Sequence, residues 1–161
     1  MQLSGRTISF GLAGMAALLV LSLWPRPVTS PEDEIRLLVR KCVQAAEDKK
    51  ISVIADALDE GFKGPNGASR DEVKGIITFQ VMRSSETVAV FNPTLSVTMD
   101  GDSAAKISGK FVFARAKAET VEALPAGGVV SAYQIDASLK KRDGKWQFVA
   151  ATYSQLYSER K

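Results

Sequence analysis

Two alternating apolar runs near the C-terminal end, Val129–Lys140 and Lys145–Tyr157, constrain this chain more than any other feature. Lys141-Arg142-Asp143-Gly144 joins them. In the first run Ser131, Tyr133, Ile135, Ala137 and Leu139 share one face, and Val130, Ala132, Gln134, Asp136, Ser138 and Lys140 share the other. A period of two is that of a half-buried strand, because successive side chains point to opposite sides. In the second run Trp146, Phe148, Ala150 and Thr152 alternate with Gln147, Val149, Ala151 and Tyr153. Asp143-Gly144 supplies the positive-φ positions of a tight turn. The pair predicts a long antiparallel hairpin with one heavily apolar face, and the upstream chain must supply its cover.

That cover is legible as helices. Ser30 and Pro31 read as an N-cap and first helical residue, and Glu32, Asp33 and Glu34 put negative charge into the first turn. Ile35, Leu38, Val39, Cys42 and Ala46 follow at helical spacing. A second short helix is expected over about Ile51–Leu58, with Lys49-Lys50 at the bend and Gly61 as its stop. Ser69 to Glu72 is a capping box that opens a third helix carrying Val73, Ile76, Ile77 and Val81. The glycine-rich loop Gly61–Gly67 lacks the G-x-x-x-x-G-K-[ST] spacing of a phosphate cradle and reads as a turn, with room for a short strand at Gly61-Phe62-Lys63. From Glu86 onward the chain alternates. Thr87–Met99 is a strand broken at Asn92-Pro93, Asp100-Gly101-Asp102 is a hairpin turn, and Ala105–Ala118 is the partner strand, with Gly109 as a place to kink.

At the other end, Ile8–Trp24 is a run of seventeen residues without a charge, between Arg6 and Pro25-Arg26-Pro27. Its length lies where secretory signal cores (about 7–15 residues) give way to spanning helices (about 17–25). It ends in Leu23-Trp24-Pro25, not in small residues of the A-x-A kind, and Trp24 suits a membrane interface. An uncleaved signal-anchor with the body exported, N-terminus inside, is the favoured expectation, and a cleaved signal peptide with a secreted product is the alternative. The expected layout is a signal-anchor or signal peptide over 1–24, a proline-rich linker over 25–30, one domain over 31–157 and a polar tail over 158–161.

Composition excludes several classes. Apolar residues at 45% and charged residues at 24% are those of a folded chain. The net charge of +3 owes two charges to Arg6 and Arg26, which leaves 19 basic and 18 acidic residues in the body. No clustered basic face points to nucleic acid, and Lys140-Lys141-Arg142 reads as a solvated turn. A single cysteine, Cys42, allows no intramolecular disulfide and reads as a small buried hydrophobe. The chain has no histidine, so Ser-His-Asp triads and His-ligated zinc are out of reach. No metal and no cofactor are expected.

About three helices followed by about four long strands predict an α+β roll, with the helices over the concave face of a strongly curved antiparallel sheet. The order and spacing of Glu32–Ala46, Ile51–Phe62 and Asp71–Met82, closed by Asp143-Gly144-Lys145-Trp146-Gln147-Phe148-Val149, resemble the NTF2-like (cystatin-like fold, SnoaL-type) superfamily over residues 31–157. A final hairpin of the form D-G-x-W-x-[IVF] is common there. The resemblance implies a cone, which the superfamily's enzymes, such as ketosteroid isomerase and scytalone dehydratase, line with acids, tyrosines or histidines. The dehydratase-like His/Asp pair is unavailable in this chain. The inward-facing candidates for a ligand pocket are Arg115, Tyr133 and Thr152, with no catalytic residue assigned, and Asp136 falls on the opposite parity from Tyr133.

Three functions follow as expectations. The first is a non-catalytic, membrane-tethered extracytoplasmic domain for protein interaction or envelope assembly, held by residues 8–24 and placed in a bacterial periplasm. The second is a binding protein for a small apolar or anionic ligand. The third is an isomerase or dehydratase, which would need an inward carboxylate with a raised pKa. A homodimer through the outer sheet face would put Gln134, Asp136 and Ser138 at its interface.

Overall fold

The computed structural model describes residues 30–82, 87–116 and 129–160. The apolar run 8–24 and the linker up to Thr29 lie outside the described residues. Within them, no helix is long and apolar enough to cross a membrane.

Three helices and five strands follow one another as α1 (Pro31–Glu47), α2 (Ile51–Asp56), β1 (Leu58–Lys63), α3 (Arg70–Met82), β2 (Thr87–Asp100), β3 (Ala104–Ala116), β4 (Val129–Arg142) and β5 (Lys145–Arg160). The strands form one sheet in the order β1-β5-β4-β3-β2. The four long strands are antiparallel neighbours, and β1 joins β5 in parallel.

Local chemistry sets most boundaries. Ser30 caps α1, its Oγ accepting from the Asp33 amide at 3.1 Å. The capping box of α3 is formed: Glu72 Oε2 accepts from the Ser69 amide at 2.7 Å, and Ser69 Oγ accepts from the Glu72 amide at 3.4 Å. Lys49 turns the chain between α1 and α2 with φ 58°. The β4–β5 turn is the two-residue kind, with Asp143 at φ 49° and Gly144 at φ 75°, so the strands run closer to the tip than the alternation alone indicates.

Several expectations shift. The second helix stops at Asp56, and Leu58 already begins β1, so Gly61 sits inside a strand whose length exceeds the expected three residues. The sheet therefore has five strands. β5 continues to Arg160, into residues expected as a polar tail. On α1 Ala45 is buried and Ala46 only packs against the core, while on α3 Ile76 is 57% exposed. α1 lies across the sheet on β2 and β5, α2 packs on α1, and α3 packs on α2 and β1. The cover of the long strands is thus chiefly α1.

The core lies between α1 and the sheet. Ile35 and Val39 meet Val88, Val90, Ala105, Ile107, Phe111, Ala137, Leu139 and Trp146. α1 crosses the face diagonally. Near its N-terminus Glu34 accepts from Trp146 and Lys141 at the β4–β5 tip. At its C-terminus Glu47 accepts from the Val90 amide of β2 at 2.8 Å. Between them Arg36 donates to the Leu95 carbonyl at 3.0 Å. These two side chains satisfy backbone groups along the free edge of β2, where Pro93 also lacks an N–H, so this edge is guarded against foreign strands.

Three bulges interrupt the ladders of the four long strands. One lies in β2 at Asn92-Pro93, where the register passes from Phe91↔Val112 to Thr94↔Lys110. Gly109 stands beside it, and a Cβ there would lie 2.7 Å from the Thr94 carbonyl oxygen. The other two lie in β5, at Val149, where Leu139↔Phe148 is followed by Ser138↔Ala150, and at Leu156, where Tyr133↔Gln155 is followed by Ala132↔Tyr157.

Candidate functional site

The Val149 bulge decides what the concave face presents. One extra residue reverses the side-chain alternation beyond it. Ala151 and Tyr153 therefore join the face of Trp146 and Phe148, opposite Ala137 and Ile135, while Thr152 turns to the other face, opposite Asp136. The expectation that groups Thr152 with Tyr133 does not hold.

Tyr133 stands at the centre of an aromatic row. Phe113 on β3 and Tyr153 on β5 both meet its ring edge-to-face, each with centroids 5.7 Å apart. Such pairs add to the burial of their rings because the positive edge of one meets the negative face of the next. The row spans β3, β4 and β5, well along the strands from the β4–β5 turn. Tyr133 is half-buried and Tyr153 is 59% exposed. Arg115 occupies the same face of β3, half-buried, opposite Val88 and Val129. Four residues along the strand from Phe111, the cross-strand partner of Tyr133, it lies roughly 13 Å away along β3. Tyr133 and Arg115 thus share a face at well-separated register positions, and Arg115 has no ion-pair partner among the described residues.

Polar chemistry gathers on the opposite face. Ser108 Oγ donates to Asp136 Oδ1 at 2.6 Å, and Gln134 Nε2 donates to Ser108 Oγ at 2.9 Å. Ser108 and Asp136, with Ser96, Thr98, Lys106, Ser138 and Thr152, line a shallow depression of about 320 Å³. Asp136 therefore faces away from Tyr133, as its parity indicates.

The remaining acids serve the framework. Asp59, buried in β1, forms an ion pair with Arg142, Nε to Oδ2 at 3.0 Å, and accepts from the Gly61 amide at 2.9 Å, tying β1 to the tip of the β4–β5 hairpin. Sequence reasoning passed over Asp59; an acid within the apolar stretch Ala57-Leu58-Asp59 was the available signal. Asp56 lies at the surface near Arg70. Burial pushes the Cys42 thiol up to about 11, with neighbouring Lys41 opposing only weakly, so it is protonated at neutral pH. No cluster of His, Cys, Asp or Glu among the described residues is arranged to hold a metal ion.

Comparison with solved structures settles the architecture. A putative scytalone dehydratase from Novosphingobium aromaticivorans superposes with a TM-score of 0.68 at 13% identity, over 80% of this chain and 85% of its own. The fold is NTF2-like. A hexachlorocyclohexane dehydrochlorinase from Novosphingobium barchaimii gives 0.65 at 12% identity, over 81% of this chain and 89% of its own. An NTF2-like protein from Cytophaga hutchinsonii gives 0.60 at 14% identity, over 79% and 99%. No protein-family model and no curated protein sequence matches the chain. Neighbours of this NTF2-like domain thus include proteins named as enzymes and one named by its fold alone, and at such identities they share the fold only.

Proposed function

We propose that the chain is a non-catalytic NTF2-like binding domain, held outside the cytoplasm by a membrane anchor at residues 8–24, which engages an envelope protein through its aromatic row. One observation carries the reading. On the concave face Tyr133 is engaged by two aromatic rings, one of them, Tyr153, 59% exposed, while the nearby acid of β4, Asp136, lies on the opposite face and is taken up by Ser108. Proton abstraction on the concave face needs a base within reach of the same substrate, and among the described residues none accompanies Tyr133. Exposed rings with one polar tip are instead the groups that dominate recognition surfaces.

A second reading has its own support. Arg115, unpaired among the described residues on the same face, suits the anionic end of a small apolar ligand whose body lies on the aromatic row.

Cell fractionation with mass spectrometry of the N-terminus tests the proposal. An intact N-terminus in the membrane fraction, with partner capture lost in Tyr153→Ala, is the expected result. A mature start near Thr29–Glu32 in the soluble exported fraction would sink the tether and make the small-ligand reading the leading one.

A further inference from the structure

Two bonds strap α1 to the edge of β2. At one end Arg36 donates to the Leu95 carbonyl at 3.0 Å, and at the other the Val90 amide donates to Glu47 at 2.8 Å. Arg36 and Glu47 stand about three turns apart on α1, roughly 16 Å along its axis. The straps frame a groove of about 530 Å³ between α1 and β2, with Val39, Val43 and Leu95 as its apolar lining. Its polar groups are sorted along the helix. Arg36 and Arg40 stand at one end, Gln44 in the middle, and Glu47 and Asp48 at the other end. Arg36 is engaged by Glu32 as well as by the Leu95 carbonyl. Arg40 is exposed and has no side-chain partner among the described residues, and the same holds for the side-chain amide of Gln44. Glu47 gives one oxygen to the Val90 amide, and the Asp48 carboxylate meets Lys50 at 2.9 Å in a solvated pair of little strength.

We propose that this groove binds a short peptide with free termini, about three residues long, with its carboxylate on Arg40 and its ammonium group at Glu47 and Asp48. Charge complementarity sets the direction, because a guanidinium matches a carboxylate and the two carboxylates match an ammonium group. The span sets the length. Arg40 and Glu47 lie about 10 Å apart along α1, and an extended chain advances about 3.3 Å per residue. Gln44, midway, offers both a donor and an acceptor to a peptide group, and the apolar lining takes the ligand's side chains. A fatty-acid-like anion would satisfy Arg40 but lay its tail against two carboxylates and leave Gln44 without a partner, and it is the competing outcome of the test. The peptide is held by its termini and not as an added strand, since Arg36 and Glu47 already occupy the Leu95 carbonyl and the Val90 amide. None of these residues belongs to the aromatic row, and the site does not depend on the membrane anchor.

Calorimetric titration of the full-length chain in lipid nanodiscs tests it, with trileucine, its N-acetylated form, its C-amidated form and decanoate as probes. Trileucine is expected to bind, and either cap to weaken it by about tenfold, the order of one charge-assisted bond. Arg40→Gln is expected to weaken trileucine by the same factor and to leave the C-amidated peptide unaffected. Glu47→Gln combined with Asp48→Asn is expected to weaken trileucine and to leave the N-acetylated peptide unaffected. Glutamine at 47 keeps an acceptor for the Val90 amide, and an unchanged circular dichroism spectrum is expected for both variants. Lys41→Gln, at an exposed cation of α1 outside the groove, is expected to change nothing. A wild type that does not bind trileucine, groove variants that bind it undiminished, equal weakening by Lys41→Gln, or decanoate bound as tightly as trileucine would overturn the proposal. Phe113, Tyr133 and Tyr153 are untouched in these variants, so loss of peptide binding and loss of partner capture are read separately.

Discussion

The indole Nε1 of Trp146 donates to Glu34 Oε2 at 2.9 Å, and Lys141 Nζ reaches the same oxygen at 2.6 Å. This pins the first turn of α1 to the tip of the terminal hairpin, 112 residues later. Trp146 itself is 7% exposed and belongs to the core. Trp146→Phe keeps most of the buried ring and removes the donor. A hydrogen bond to a charged group is worth about 1.5–3 kcal/mol, so the variant is expected to lose stability of that order in urea unfolding. Trp146→Ala adds a cavity and is expected to cost about 3–5 kcal/mol. Equal losses in the two variants would show that the hydrogen bond, and not packing, is what Trp146 contributes.

Glu34 also has a pH signature. The hydrogen bond from Lys141 holds its carboxyl below the usual carboxylate range, the Trp146 bond adds to this, and partial burial opposes both. A carboxyl depressed in the folded state stabilises the protein above its ordinary titration range, and that stability is lost as pH falls through the folded value. The stability difference between wild type and Glu34→Gln is therefore expected to be largest at neutral pH and to shrink on acidification. Thermal melts at neutral pH and below the ordinary carboxylate range check this, and a difference that stays constant would refute it. The pair is partly solvated, so the effect is modest.

Gly109 is required by the bend of the sheet. Alanine there places its Cβ 2.7 Å from the Thr94 carbonyl oxygen, a backbone atom beside the β2 bulge. Overpacking of this kind costs about 1–3 kcal/mol. Gly109→Ala is expected to lower the unfolding midpoint accordingly, whereas Gly75→Ala, with open space around its Cβ, is expected to be neutral or stabilising.

Cys42 is expected to be slow to react. With its thiol pushed up to about 11 by burial, little thiolate exists at pH 8. Alkylation in native buffer should be far slower than in denaturant, where the thiol returns to its ordinary range. Comparable rates in the two conditions would mean that the α1 stripe opens readily.

The helix caps, the turns and the hairpin order were legible in the sequence because each rests on residues adjacent in the chain. Ser30, the Ser69–Glu72 box and Asp143-Gly144 behave as local chemistry requires. Asp136 likewise falls opposite Tyr133, since the alternation of β4 against β3 runs unbroken from Val129 to Lys140. Thr152 was misplaced for a physical reason. In Phe148-Val149-Ala150-Ala151 the small residues suit either face, so nothing in the pattern marks the residue that bulges. The bulge arises only where β5 must follow the curvature of β4.

What the sequence by itself determined was the order of elements, the apolar stripe that makes α1 a cover, and the exclusion of histidine chemistry. The tertiary structure alone decided the rest. It paired β1 with the start of β5, laid α1 over β2 and β5, and placed the β5 bulges that decide which side chains share a face. Those outcomes depend on long-range register and on which surfaces compete for a single helix, and no local pattern of residues encodes either.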